Sequence, residues 1–185
     1  MSLGIYAFID SQNLNLGIKD QGWNLDFRRF RVYLREKYKV EKAFLFLGYI
    51  RGNGALYSYL KNAGYELVFK KTVIDKSGKI KGNVDAELVL HAARIEYDNY
   101  AQAVIVSGDG DFACLIKYLV QVGKLYKVLV PNRRKYSQLL LEYVEYLNFM
   151  NDLKEKLGRG RDRIETKKNG SVACSISLQP SLPSD

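Results

Sequence analysis

Hydrophobic positions along this chain alternate between two rhythms. Short continuous apolar runs have the length and the β-branched or aromatic character of buried strands. They are Gly4 to Ile9, Ala43-Phe44-Leu45-Phe46-Leu47-Gly48, Tyr65-Glu66-Leu67-Val68-Phe69, Ala103-Val104-Ile105-Val106 and Lys127-Val128-Leu129-Val130. Between them the apolar residues fall at helical spacing. Asn24-Leu25-Asp26 is a polar start signal for a helix running to about Lys39, with Phe27, Phe30, Val32, Leu34 and Tyr38 available for burial. Further helices are predicted from about Gly54 to Asn62, closed by Gly64, from Val84 to Asp98 and from Phe112 to Val122. Ser137 to Tyr143 and Asn151 to Leu157 read as helical, with Glu145 to Phe149 a short sixth strand between them. Strands that are apolar throughout and alternate with helices predict an α/β fold with a parallel sheet covered on both faces.

This pattern stops near Leu157. From Gly158 the chain is basic and glycine-broken, then rich in Ser and Pro, with too little apolar area to offset the entropy of ordering it. The expected organisation is one domain over residues 1–157 and a disordered tail over 158–185. No apolar run approaches the ~20 residues that span a membrane, and no secretory signal is visible. Cys114, placed among core residues of a predicted helix, and Cys174, in the tail, read as reduced thiols. The cytoplasm is the expected compartment.

Charge adds a partner class. The chain carries 29 Lys plus Arg against 20 Asp plus Glu, a formal +9. A basic folded body favours a polyanion and speeds encounter with it.

Acids at strand ends add the chemistry. The fourth strand runs into Ser107-Gly108-Asp109-Gly110-Asp111-Phe112, and the first ends in Phe8-Ile9-Asp10-Ser11-Gln12-Asn13. Asp85 opens a helix in Lys81-Gly82-Asn83-Val84-Asp85. Helix capping accounts for Asp85 and Asp111 taken singly, but not for Asp10, nor for the doubling of Asp109 by Asp111. Four carboxylates meeting from three segments repel one another unless a hard cation neutralises them. The lone histidine, His91, falls on the stripe Val84, Leu88, His91, Ile95 and reads as a core or half-buried residue.

These three motifs together, spread from about Gly4 to Leu157 in a characteristic order, closely resemble the NYN domain. This is the PIN-like nuclease group that includes the LabA-like proteins formerly called DUF88. The resemblance implies a three-layer α-β-α fold with strand order 3-2-1-4-5, which puts the first and fourth strands side by side at a topological switch point. It implies a Mg²⁺- or Mn²⁺-dependent ribonuclease, with endonucleolytic action on RNA the expectation. By motif match, Asp10, Asp85, Asp109 and Asp111 form the catalytic metal site, and Asn13 and Ser107 hold the site or touch the scissile phosphate. Asn83 departs from the family pattern, in which many members read Lys-Gly-Val-Asp. On this reading a metal-activated water attacks phosphorus in line and leaves a 5′-phosphate and a 3′-hydroxyl.

Basic residues just beyond strand ends, Arg51, Lys70 and Lys71, and Arg133-Arg134-Lys135, supply an expected substrate border, and Lys81, just before the Asp85 helix, can bind phosphate. Tyr49 and Tyr136 neighbour them and can stack unpaired bases, so single-stranded RNA is the favoured partner. The apolar, tyrosine-rich stretch Leu139 to Phe149 offers a homodimer surface. Competing readings are weaker. A haloacid-dehalogenase-type site needs a second acid where Gln12 stands, no strand leads into Gly-x-Gly-x-x-Gly, and no twelve-residue calcium loop follows Asp109. A catalytically weak RNA-binding or regulatory module that retains the acidic site is the remaining alternative.

Overall fold

The computed structural model describes residues 3–70, 73–74, 80–81 and 84–160. The expected turn at 75–78, Lys71, Gly82, Asn83, Cys174 and the tail from 161 onward lie outside the described residues. Strands β1 (Gly4–Asp10), β2 (Val40–Gly48) and β3 (Glu66–Lys70) precede a two-stranded antiparallel pair, β4 (Val73–Ile74) and β5 (Ile80–Lys81). Strands β6 (Tyr100–Val106), β7 (Leu125–Val130) and β8 (Leu147–Phe149) follow. The main sheet has the order β3-β2-β1-β6-β7-β8, and every neighbouring pair in it is parallel. The expected order of the first five main strands is thus observed, with β8 added at the β7 edge as the sixth.

Alternation along β1 sends side chains to two cores. Ala7 and Ile9 join Leu14, Ile18, Trp23, Phe30, Leu34 and Leu45 on one face. Tyr6 and Phe8 join Phe44, Phe46, Leu88, Tyr100, Phe112 and Leu119 on the other. The first face is covered by α1 (Ser11–Lys19), α2 (Phe27–Tyr38) and α3 (Gly54–Asn62), the second by α4 (Asp85–Leu90) and α5 (Ala113–Gln121). The result is the three-layer α-β-α fold.

Helix α2 starts where expected because the Asp26 carboxylate accepts from the backbone N–H groups of Arg28 and Arg29. Its buried side is Phe27, Phe30, Tyr33, Leu34 and Tyr38, whereas Val32 points to solvent. Helix α1 is not visible in the hydrophobic pattern. Gln12, Asn13, Asn15, Gly17 and Lys19 dilute its apolar spacing, yet Leu14 and Ile18, four residues apart, are fully buried. Gly17 lets it approach the end of β7, since a Cβ there would stand 2.7 Å from the Pro131 Cβ.

The single helix expected over 84–98 is broken. After α4 the chain takes a π-helical turn at His91–Ile95 and a 3₁₀ turn at Tyr97–Asn99, so Ile95 leaves the stripe and is exposed. His91 is half-buried, with Nδ1 2.9 Å from the Glu87 carbonyl and its ring edge-on to Phe46. Cys114 is exposed, not in the core: it sits off the Phe112, Leu115, Ile116, Leu119 stripe that packs on the sheet. The stretch Gln138–Tyr146 is 3₁₀-helical with a kink at Tyr143, and Leu139, Leu141 and Val144 are exposed. Asn151–Leu153 forms another 3₁₀ turn before the short α6 (Lys154–Leu157). Gly158 bridges Leu25, and the Arg159 N–H donates to the Asn24 carbonyl. Among the described residues no helix is long and apolar enough to cross a membrane.

Candidate active site

The carboxyl end of β1 lies between those of β2 and β6, with Asp10 paired to Phe46 and Ile9 to Val106. This is the switch point of the sheet, where open α/β folds place ligands. Asp10 is the last residue of the strand and only 4% exposed. Its Oδ1 accepts from the N–H groups of Gln12 and Asn13, each at 3.0 Å, and so caps α1. Its Oδ2 accepts from the Ser107 hydroxyl at 3.4 Å.

The loop after β6 is fixed from both sides. Asn13 Oδ1 accepts from the Gly108 N–H at 2.8 Å, which joins α1 to that loop. Ser107 Oγ accepts from the Asp109 N–H, and Asp109 Oδ1 accepts from the Asp111 N–H. The Ser137 N–H donates to the Gly108 carbonyl at 2.9 Å. Gly110 is required by this contact: a Cβ there would stand 2.9 Å from the Ser137 Cβ and nearer still to its hydroxyl.

Asp10, Asp85 and Asp109 line one cavity of about 320 Å³ together with Gln12, Asn13, Leu16 and Val84. Asp111 is exposed and stands apart from that trio. It lines an adjoining cavity of about 420 Å³ with Asn13, Gly108, Asp109, Lys135, Tyr136, Ser137 and Leu139. Asp109 and Asn13 border both. Asp85 comes from the first turn of α4. Burial pushes the Asp10 carboxyl up from its ordinary 3.8 to about 6, and the Asp85 and Asp109 carboxylates add to the rise against the two backbone donors.

The expected basic border is only partly at the acids. Lys135 lines the second cavity and pairs with Asp20, Nζ to Oδ2 at 2.8 Å. Arg133 and Arg134 are exposed on the same loop but line neither cavity. The Arg133 guanidinium lies 4.9 Å over the Phe149 ring. Arg51 is exposed beyond β2, and Lys81 lies on β5 with its side chain outside the described part. Gln12, Leu16, Asp20, Ser137 and Leu139 were not picked out by the sequence. Gln12 and Leu16 follow from helix spacing after Asp10 once α1 is known, whereas Asp20, Ser137 and Leu139 join only through the fold.

The chemistry of these donors bears on a divalent cation. The donors are all hard oxygens, the lining of the first cavity holds no cationic side chain among the described residues, and burial, with the neighbouring carboxylates, destabilises the Asp10 anion. Among the described residues no three carboxylate, thiol or imidazole groups converge closely enough to hold an ion by themselves. Such a donor set suits a hard divalent cation only where the ion stays partly hydrated and one or two carboxylates hold it with a phosphate completing the shell.

The sequence pattern described as the NYN domain matches residues 4–149. The chain belongs to the NYN domain family. The sheet order of this NYN domain is consistent with the PIN-like nuclease superfamily. Among solved structures it is similar to a protein of unknown function from Vibrio parahaemolyticus. The two share 25% identity at a TM-score of 0.67, over 82% of this chain and 94% of that one. No curated protein matches the NYN domain chain significantly.

Proposed function

We propose that this NYN domain protein is a Mg²⁺- or Mn²⁺-dependent ribonuclease that hydrolyses phosphodiester bonds of single-stranded RNA. One observation carries the reading: Asp10, Asp85 and Asp109, from three separate segments, line one cavity at the switch point of the sheet. Asp10, Asp85 and Asp109 would hold the cation, with Asp111 set apart in the adjoining cavity. A divalent ion there supplies a water of lowered pKa and neutralises charge on the phosphate.

The chain's own residues do the remaining work. Asn13 and Ser107 hold the Asp10 and Asp109 carboxylates in place through the Gly108 N–H, the Asp109 N–H and Asp10 Oδ2. Lys135, at the rim of the second cavity, offers a positive charge to a phosphate beside the cleaved one. Arg51, Lys81, Arg133 and Arg134 extend the basic border along which the strand would lie. By family resemblance the products carry a 5′-phosphate and a 3′-hydroxyl.

A second reading is an RNA-binding or regulatory module with little catalytic power, favoured because among the described residues no three carboxylate, thiol or imidazole groups converge to hold an ion. Against it stands the charge of the cavity, because a pure binder gains nothing from three carboxylates facing a polyanion. End-labelled single-stranded RNA incubated with Mn²⁺, Mg²⁺ or EDTA separates the two. Metal-dependent products with 5′-phosphate ends support the nuclease, and RNA bound intact under every metal supports the module.

A further inference from the structure

The two tyrosines that the sequence sets beside the basic border part company in the fold. Tyr136 is half-buried against Phe149, with ring centroids 5.4 Å apart. Tyr49, directly after β2, keeps 50% of its surface exposed. It stacks on Tyr57 at 5.9 Å and meets the edge of Phe69 at 5.7 Å, while Tyr57 and Phe69 touch at 4.7 Å. Phe69, near the end of β3, is itself partly exposed.

The cluster is held rigidly. The Tyr57 hydroxyl accepts from the Ile50 N–H at 2.8 Å and donates to the Ile50 carbonyl at 3.1 Å, so both of its bonds go to one backbone unit. The Tyr49 N–H donates to the Lys70 carbonyl, which ties the end of β2 to that of β3. The charged residues next to the cluster in sequence are cationic: Arg51 lies two residues beyond Tyr49, and Lys70 follows Phe69.

From these observations we infer that Tyr49, supported by Tyr57 and Phe69 and flanked by Arg51, is a base-stacking subsite for single-stranded RNA. A rigid, half-exposed aromatic face in a positive surround suits an unpaired base with its phosphate, since every base has a π-face and stacking needs no particular sequence. Position agrees. Phe46 pairs with Asp10, and Tyr49 lies three residues further along the adjacent strand, about 10 Å of strand rise beyond the acids. A strand whose phosphate enters the acidic cavity and which runs toward the end of β2 would meet Tyr49 there. The assignment rests on the ribonuclease reading for its substrate but not for its test.

The test is fluorescence anisotropy of labelled oligouridylate, and of an abasic oligomer of equal length, in EDTA so that no cleavage occurs. Tyr49→Ala is expected to weaken oligouridylate binding about tenfold and to leave abasic binding unchanged. Tyr49→Phe should bind like the native chain, and Arg51→Ala should weaken both probes alike. Thermal melting checks that each variant is folded. Equal oligouridylate affinity of Tyr49→Ala and native protein overturns the inference. So does equal weakening on both probes, or no binding of oligouridylate by the native chain. If the native chain never cuts RNA yet Tyr49→Ala still loses base-dependent binding, the subsite stands and the nuclease reading falls.

Discussion

Replacing Asp10 by asparagine should stabilise the metal-free protein at alkaline pH while removing a charge the proposed site needs. Asparagine keeps Oδ1 for the Gln12 and Asn13 N–H groups, and its amide nitrogen can donate to the Ser107 hydroxyl in place of Oδ2. Burial holds the Asp10 carboxyl at about 6 against an ordinary 3.8. At 1.36 kcal/mol per pKa unit, that rise corresponds to about 3 kcal/mol of folding free energy opposed by ionisation. The sign follows from the folded-state value lying above the unfolded one. Asp10 contributes its full stability below the unfolded value, and loses it as pH rises through about 6. Urea unfolding in EDTA at about pH 3 and about pH 8 reads the effect. The two proteins should match at the lower pH, and Asp10→Asn should be more stable by about 3 kcal/mol at the higher one. Adding Mg²⁺ at the higher pH should narrow the gap, because an ion that binds only the folded native protein raises its stability alone. A gap that is absent, or the same at both pH values, refutes the argument that a buried, crowded carboxylate sits at this strand end.

Three further outcomes follow from the same geometry. Mn²⁺ affinity, measured by calorimetry, should rise about tenfold per pH unit below about 6 and level off above it, since the ion competes with one proton at Asp10. Gly110→Ala should cost about 1–3 kcal/mol in denaturant unfolding, because the new Cβ is driven against Ser137, and pairing it with Ser137→Gly should recover most of that loss. Lys135→Ala should change stability by no more than about 1 kcal/mol, its pair with Asp20 being exposed. It should also lower the slope of log RNA affinity against log salt by about 0.7.

The sheet was legible because its central strands each carry a short, nearly continuous apolar run, such as Tyr6–Ile9, Ala43–Leu47 and Ala103–Val106, and the acids because each stands where such a run ends or a helix begins. Helix α1 was not legible, since its amphipathic signal rests on Leu14 and Ile18 among polar residues and Gly17. It is held by the Asp10 cap and by contact with Pro131, which are facts of the fold. The same limit hid the Asn13 bond to Gly108, which joins residues 95 positions apart. It also hid the pairing of Asp20 with Lys135, which joins residues 115 positions apart. Cys114 and Ile95 were misplaced for local reasons, one lying off the buried stripe of its helix and the other carried outward by a π-helical turn. The family resemblance implied that all four aspartates share one site. The fold puts Asp10, Asp85 and Asp109 in one cavity and Asp111 in the next, because the 3₁₀ turn at Gly110–Phe112 directs it outward.

The central claim is that these carboxylates cut RNA, and the most direct measurement compares the native chain with Asp109→Asn, prepared side by side. Both are incubated with end-labelled single-stranded RNA and Mn²⁺. The substitution preserves the Oδ1 that caps the Asp111 N–H and removes only charge. The account predicts cleavage by the native chain that EDTA abolishes and that the variant lacks while still binding RNA. Equal cutting by the two proteins, or none by either, would contradict it.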